Sequence, residues 1–190
     1  MQFRALFVSL FLLLPGSLLA QDPPFRAGQW AAQFTGVSFV SLGAIKFRSP
    51  TRALVLDVHV SGGHGEHATN DTLDTISSSA SIDVRVGRRS YRSVTDNVVA
   101  QHSLGLAVGF DHVFNTYPLS GTFTSNGWSA GPFVDLGAVY LITPHFGIGA
   151  TGSVSVSYSR SSARGSTGGK SRTWFLSGST GVLFSATLFF

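Results

Sequence analysis

Alternation with a period of two runs along most of the chain. In FGIGATGSVSVSYS the positions Phe146, Ile148, Ala150, Val154, Val156 and Tyr158 are apolar, while Gly147, Gly149, Thr151, Ser153, Ser155 and Ser157 are small or polar. TWFLSGSTGVLFSATLFF repeats the parity, with Trp174, Leu176, Val182, Phe184, Leu188 and Phe190 set against Ser177, Ser179, Gly181, Ser185 and Thr187. ALVLDVHVS opposes Leu54, Leu56, Val58 and Val60 to Asp57, His59 and Ser61, and SIDVRVG opposes Ile82, Val84 and Val86 to Asp83 and Arg85. This is the period of strands whose two faces meet different surroundings. Two more strands fall at about 98–114 and 129–141, and two less regular ones near 28–37 and 39–47, which makes eight.

The connections alternate as well. SPTR at 49–52 and TPH at 143–145 read as short turns, 88–97 as a longer one, and 62–77, 115–127 and 160–172 as three long polar external loops. Short turns at one end, long loops at the other and strands near the roughly 9–11 residues of a tilted membrane crossing are the pattern of outer-membrane barrels. A soluble β-sandwich also alternates, but its outward face carries charged residues for water. Here the face opposite the apolar one is mostly Gly and Ser, thin cover for water and compact filling for a narrow bore. The expected fold is all-β: an eight-stranded antiparallel transmembrane up-and-down β-barrel over 28–190.

Composition agrees. The chain has 22 Gly and 16 Phe, one glutamate (Glu66) and two lysines (Lys46 and Lys170), so the residues that coat soluble helices are scarce. Cysteine is absent, which excludes disulfides, thiolate metal sites and a cysteine nucleophile. MQFRALFVSLFLLLPGSLLA has a basic head at Arg4, an apolar run to Leu14 and a small residue at Ala20. These features predict an export signal over 1–20, cleaved to leave a short leader at 21–27. The net charge of +4 comes from scattered arginines rather than a stripe, which argues against nucleic acid as a partner.

With these residues in view, the sequence resembles the small eight-stranded outer-membrane barrels of the OmpA and OmpX type. The resemblance spans about 28–190 and rests on FSATLFF, FRSPTRALVLDV and YLITPHFGIG. It implies an outer-membrane location and recognition of Phe184, Ala186, Leu188 and Phe190 by the barrel assembly machinery. No peptidoglycan-binding extension beyond the barrel, like that of full-length OmpA, is expected.

Candidate chemistry sits in the expected bore. Pairing residue 61 with 79 would set Asp57 opposite Asp83, with Arg85 and an inward Lys46 relieving the repulsion, Gln101 opposite Arg85, and Asp135 a further member from across the barrel. This network reads as a polar plug, with a gated ion path as the alternative. Lipid-facing aromatics are expected at a lower rim (Phe47, Tyr140, Phe146, Phe190) and an upper one (Phe114, Tyr158, Trp174). His64, Glu66, His67, Asp71 and Asp74 read as a hydrated loop rather than a metal site. His102 points toward lipid unless a bulge shifts its register. No Ser–His–acid signature stands out, although His59 or His112 could serve as base in a lipid A-modifying enzyme. The expectation is a structural or surface-interaction protein among outer-membrane lipids and lipopolysaccharide, with no cofactor and no metal. A narrow pore is the alternative, and an enzyme is third.

Overall fold

The computed structural model describes residues 24–36, 40–69, 73–117, 121–166 and 168–190; the export signal expected over 1–20, and 21–23 of the leader expected after it, lie outside them. Eight strands follow in order: β1 Trp30–Gly36, β2 Val40–Ser49, β3 Arg52–Thr69, β4 Leu73–Ser93, β5 Val98–Tyr117, β6 Gly121–Thr143, β7 Phe146–Gly165 and β8 Lys170–Phe189. Each pairs antiparallel with the next, and β8 returns to β1, closing the barrel. At the seam Trp30 and Phe190 exchange both backbone hydrogen bonds, at 3.2 and 3.0 Å.

The register fixes the bore. Followed from Ala31 through Ile45, Val55, Gly87, Gly105, Phe133 and Ser155, the rungs reach Ser179, ten residues short of Phe189, where β8 meets Ala31 again. A shear of ten on eight strands tilts the strands by roughly 40° and leaves an interior just wide enough for side chains to fill.

Parity separates two environments. Leu104 and Leu106 are each 63% exposed on the outer face, and Leu176 is 70% exposed. Inward neighbours on β5, Gln101 and Ser103, are buried. A large apolar surface turned outward around a closed ladder is the inverse of a soluble core, and it suits a bilayer, where every backbone group must be paired internally.

The long external loops expected at 62–77, 115–127 and 160–172 are instead mostly strand, because β3 to β8 continue well past the apolar belt and leave tips at 70–72, 118–120 and 166–169. Above the belt both faces meet water, so the Gly, Ser and Thr residues there lose the two-period contrast while the backbone ladder goes on pairing. Arg88–Ser93, expected in a turn, likewise belongs to β4, and the turn is 94–97, closed by Val94 N donating to Val98 O at 2.8 Å. The β1–β2 hairpin is shorter, so β8 from Lys170 to Leu183 and β3 from Val60 to Thr69 have partners on one side only among the described residues.

The bore is tight enough that some rungs admit no side chain. A Cβ on Gly105 would press on the Val86 carbonyl, the Gly87 Cα and the Phe133 ring. Gly105→Val is therefore expected to lose about 3 kcal/mol or more of stability, since backbone atoms cannot give way. Gly178→Ala, whose Cβ meets no atom nearer than 3.8 Å, is expected to change little. Urea unfolding in micelles, with the gel mobility shift between boiled and unboiled samples, measures both; equal midpoints for the two variants would refute the tight bore.

Candidate functional site

The bore divides at Phe133. Below it, inward residues of the surrounding strands build an apolar floor. Phe25 lies 4.6 Å from Phe47, 5.0 Å from Tyr91 and 5.0 Å from Phe189 between ring centroids, and Phe47 stacks on Tyr91 at 5.2 Å. Ala31, Ile45, Ala53, Val55, Val99, Val139 and Leu141 complete the cluster. Phe25 comes from the stretch ahead of β1, where the sequence carries no strand period. A lone aromatic after two prolines is the available signal, and it is faint.

Above the floor lies a cavity of about 380 Å³ lined by Gln33, Asp57, Asp83, Arg85, Arg89 and Asp135 among others. Arg85 Nη2 donates to Asp135 Oδ1 at 2.8 Å and to Ser153 Oγ at 3.3 Å, and its guanidinium sits 3.9 Å over the Phe133 ring. One side chain thus ties the polar layer to the floor. Arg89, also buried, donates through Nε to Ser103 Oγ and through Nη1 to Gln33 Oε1, both at 2.9 Å, and Gln33 Nε2 continues to Thr187 Oγ1 at 3.1 Å. This second chain bridges the β1–β8 seam. It was not foreseen because Arg88 and Arg89 looked like turn residues.

Three inward carboxylates each cross a glycine: Asp57 faces Gly43, Asp83 faces Gly109 and Asp111 faces Gly127. In every case a Cβ on the glycine would collide with the carboxylate. The glycine makes the room that the acid occupies.

Several expected placements are corrected. Asp57 pairs with Arg85, and Asp83 with His59, two residues off the expected register, so the like-charge pair does not form. The ladder from Thr69↔Leu73 sets this register, whereas the expectation took the turn from the polar stretch alone. Gln101 faces Tyr91 rather than Arg85, and donates to Thr151 Oγ1 at 2.9 Å. Lys46 lies on the outer face with Nζ 4.7 Å from the Trp30 ring, and Phe47 is inside with 0% exposure rather than in the girdle. Where the floor is as apolar as lipid, parity has no contrast, and β2 was read in the wrong phase.

The other aromatics lie outward. Tyr140, Phe146 and Phe190 sit at the turn end of the barrel beside Trp30, and Phe114, Tyr158 and Trp174 at the hairpin end beside Trp128. Phe184, Ala186 and Leu188 face outward on the seam strand. His102 faces outward too, in unbroken register between Ser90 and Leu136, so no bulge is present there.

His64 accepts or donates at Nδ1 with Ser78 Oγ at 2.9 Å and stands 3.6 Å from Glu66. The side chains of His67, Asp71 and Asp74 lie outside the described residues. Ser41, His59 and Asp83 occupy one row across β2, β3 and β4, the residue types of a hydrolytic triad. Ser41 Oγ, however, donates to Thr35 O at 3.3 Å, away from the imidazole. Among the described residues the neighbouring amides serve the ladder and form no backbone oxyanion hole.

Removing Arg85 strands Asp135 in the bore. Arg85→Ala is expected to lose roughly 3 kcal/mol, and Arg85→Ala/Asp135→Ala less than the sum of the single changes, because the second removes the uncompensated charge. Urea midpoints of the four proteins in a double-mutant cycle give the coupling; additive losses would dissolve the pair.

No family model and no curated protein matches the sequence. Among solved structures the chain is similar to a major outer membrane protein from Thermus thermophilus, at 14% identity and TM-score 0.49 over 85% of this chain and 99% of that one. It is also similar to CarO of Acinetobacter baumannii (10% identity, TM-score 0.42, 90% and 100% covered) and to Ail, the attachment invasion locus protein of Yersinia pestis (12%, 0.40, 85% and 94%). At such identities the likeness is one of fold, and the fold rests on the chain's own closed ladder: a small eight-stranded transmembrane β-barrel.

Proposed function

We propose that the protein is a non-conducting barrel of the bacterial outer membrane that holds three tall β-hairpins above the lipid as an interaction surface. The export signal would be cleaved during secretion, and Phe184, Ala186, Leu188 and Phe190 would present the outward edge read by the assembly machinery. The hairpins and outer face would meet lipopolysaccharide, other cells or host molecules. The polar layer would serve as a rigid plug.

The observation that carries this reading is the floor. Phe25, Phe47, Tyr91 and Phe189 fill the turn end of the bore with packed rings, and an ion passing them would shed its water against rings whose single polar group is the Tyr91 hydroxyl. Of the charged residues that suggested an ion path, Asp57, Asp83, Arg85 and Asp135 lie on the hairpin side of this barrier, lining a cup rather than a channel, and Lys46 is outside the bore altogether. A lipid-modifying activity finds less support, given the orientation of Ser41 Oγ.

Purified protein in a planar bilayer is expected to give no step currents. Phe47→Ala/Tyr91→Ala, which removes two floor rings, is expected to introduce them. Steps in the unmodified protein that vanish on Arg85→Ala would make the polar layer a conduction path and sink the plug.

A further inference from the structure

The outer face of β6, β7 and β8 changes character at Trp128, Tyr158 and Trp174. Trp128 pairs with Arg160, and Arg160 with Trp174. Trp128 and Tyr158 lie 5.6 Å apart, and Arg160 shares a rung with Trp128 and Trp174 at the upper girdle. Two residues further up the hairpin Ser162 pairs with Arg172, and two further again Arg164 pairs with Lys170. All four cations are exposed. A recess of about 270 Å³ opens between Phe110, Asn126, Trp128, Arg160, Ser162 and Arg172.

Two features make this more than a solvated rim. Like charges directly opposite on a ladder destabilise it, and Arg164 faces Lys170. Among the described residues no ion pair relieves them: from Val98 to Phe190 the acids are Asp111 and Asp135, and both point into the bore. A patch of this kind lacks its counter-anion. It also begins directly above the aromatic belt that marks the lipid interface, where the anions met by a membrane protein are headgroup phosphates.

We propose that this face of the β7–β8 hairpin binds the phosphorylated headgroup of an outer-leaflet glycolipid, an inference that rests on the outer-membrane reading above. Arg160 and Arg172, diagonal neighbours within reach of one group, clasp a phosphate with paired guanidinium donors. Arg164 and Lys170 take a second phosphate or an acidic sugar further out. Trp128, Tyr158 and Trp174 pack against the first carbons of the acyl chains. His112 Nδ1, 2.7 Å from Asn126 Oδ1, holds the amide that borders the recess. The lipid supplies the negative charge that the sequence withholds from this face.

The test is calorimetric titration of the folded mature protein in zwitterionic micelles with diphosphoryl lipid A, the same lipid stripped of phosphate, and inorganic pyrophosphate. Arg160→Ala/Arg172→Ala is expected to weaken diphosphoryl lipid A binding roughly tenfold or more, and removal of the phosphates to weaken it comparably. Arg48→Ala/Arg52→Ala, which removes two outward cations at the opposite end of the barrel, is expected to stay within about twofold. Equal affinity for the two lipids, an unchanged Arg160→Ala/Arg172→Ala protein, or an equal loss in the two double variants overturns the proposal. Pyrophosphate binding as tightly as the lipid overturns it as well, in favour of a soluble anion. A barrel that is electrically silent yet ignores the phosphates sinks this inference alone, whereas one that conducts sinks the proposed function.

Discussion

A ladder that closes on itself after eight strands with a shear of ten sets the diameter of the bore, and that diameter governs what can point into it. Gly87 and Gly105 lie together under Phe133 because two side chains and a ring do not fit on those rungs. Gly43, Gly109 and Gly127 give way to Asp57, Asp83 and Asp111 for the same reason. The abundance of glycine, which in a soluble sheet would weaken strands, follows here from large and small residues interdigitating across a narrow interior.

The same closure leaves the interior graded along its axis. Phe25, Phe47, Tyr91 and Phe189 make the turn end dry; Arg85 rests on Phe133 and reaches up to Asp135; the serine pairs Ser155–Ser179 at 2.7 Å and Ser157–Ser177 at 3.0 Å continue toward water. Polar groups this close to an apolar floor persist because nearly all find partners, as the Ser103–Arg89–Gln33–Thr187 chain does. Gln101 Oε1 and Ser185 Oγ are exceptions among the described residues. Both face the bore, where a water molecule would satisfy them.

How much of this could be read from the sequence depended on contrast. Strands β3, β4, β5, β7 and β8 were legible in type, facing and number where one face meets lipid and the other meets polar filling, as at Leu54–Val60 or Phe146–Tyr158. Legibility failed wherever both faces share a solvent. At the floor, Ile45 and Phe47 are as apolar as the lipid-facing Leu42, so β2 was phased backwards and Lys46 was sent inward. In the hairpins, Ser77, Ser78 and Ser79 look alike on both faces, so the pattern does not distinguish ladder from loop, and the expected register between β3 and β4 is two residues off the observed Asp57–Arg85 pairing. Phe25 carried no period at all. Its role comes from the chain folding up under the barrel, a contact that no local pattern encodes.

Arginine does three different jobs here, and its neighbours determine which. Inside, Arg85 and Arg89 share the bore with Asp57, Asp83 and Asp135 and are held by carboxylate and amide oxygens. At the turn end, Arg48, Arg52 and Arg92 face outward beside Trp30, with Arg88 two steps deeper between Leu54 and Leu104, a position from which a long side chain reaches back to the interface. At the hairpin end, Arg160, Arg164 and Arg172 stand on a face without acids. A modest net charge spread along the sequence is therefore sorted by the period of two. Asp57, Asp83, Asp111 and Asp135 turn inward, and the outer surface keeps a cationic excess at both edges of the apolar belt, where a bilayer carries its phosphates.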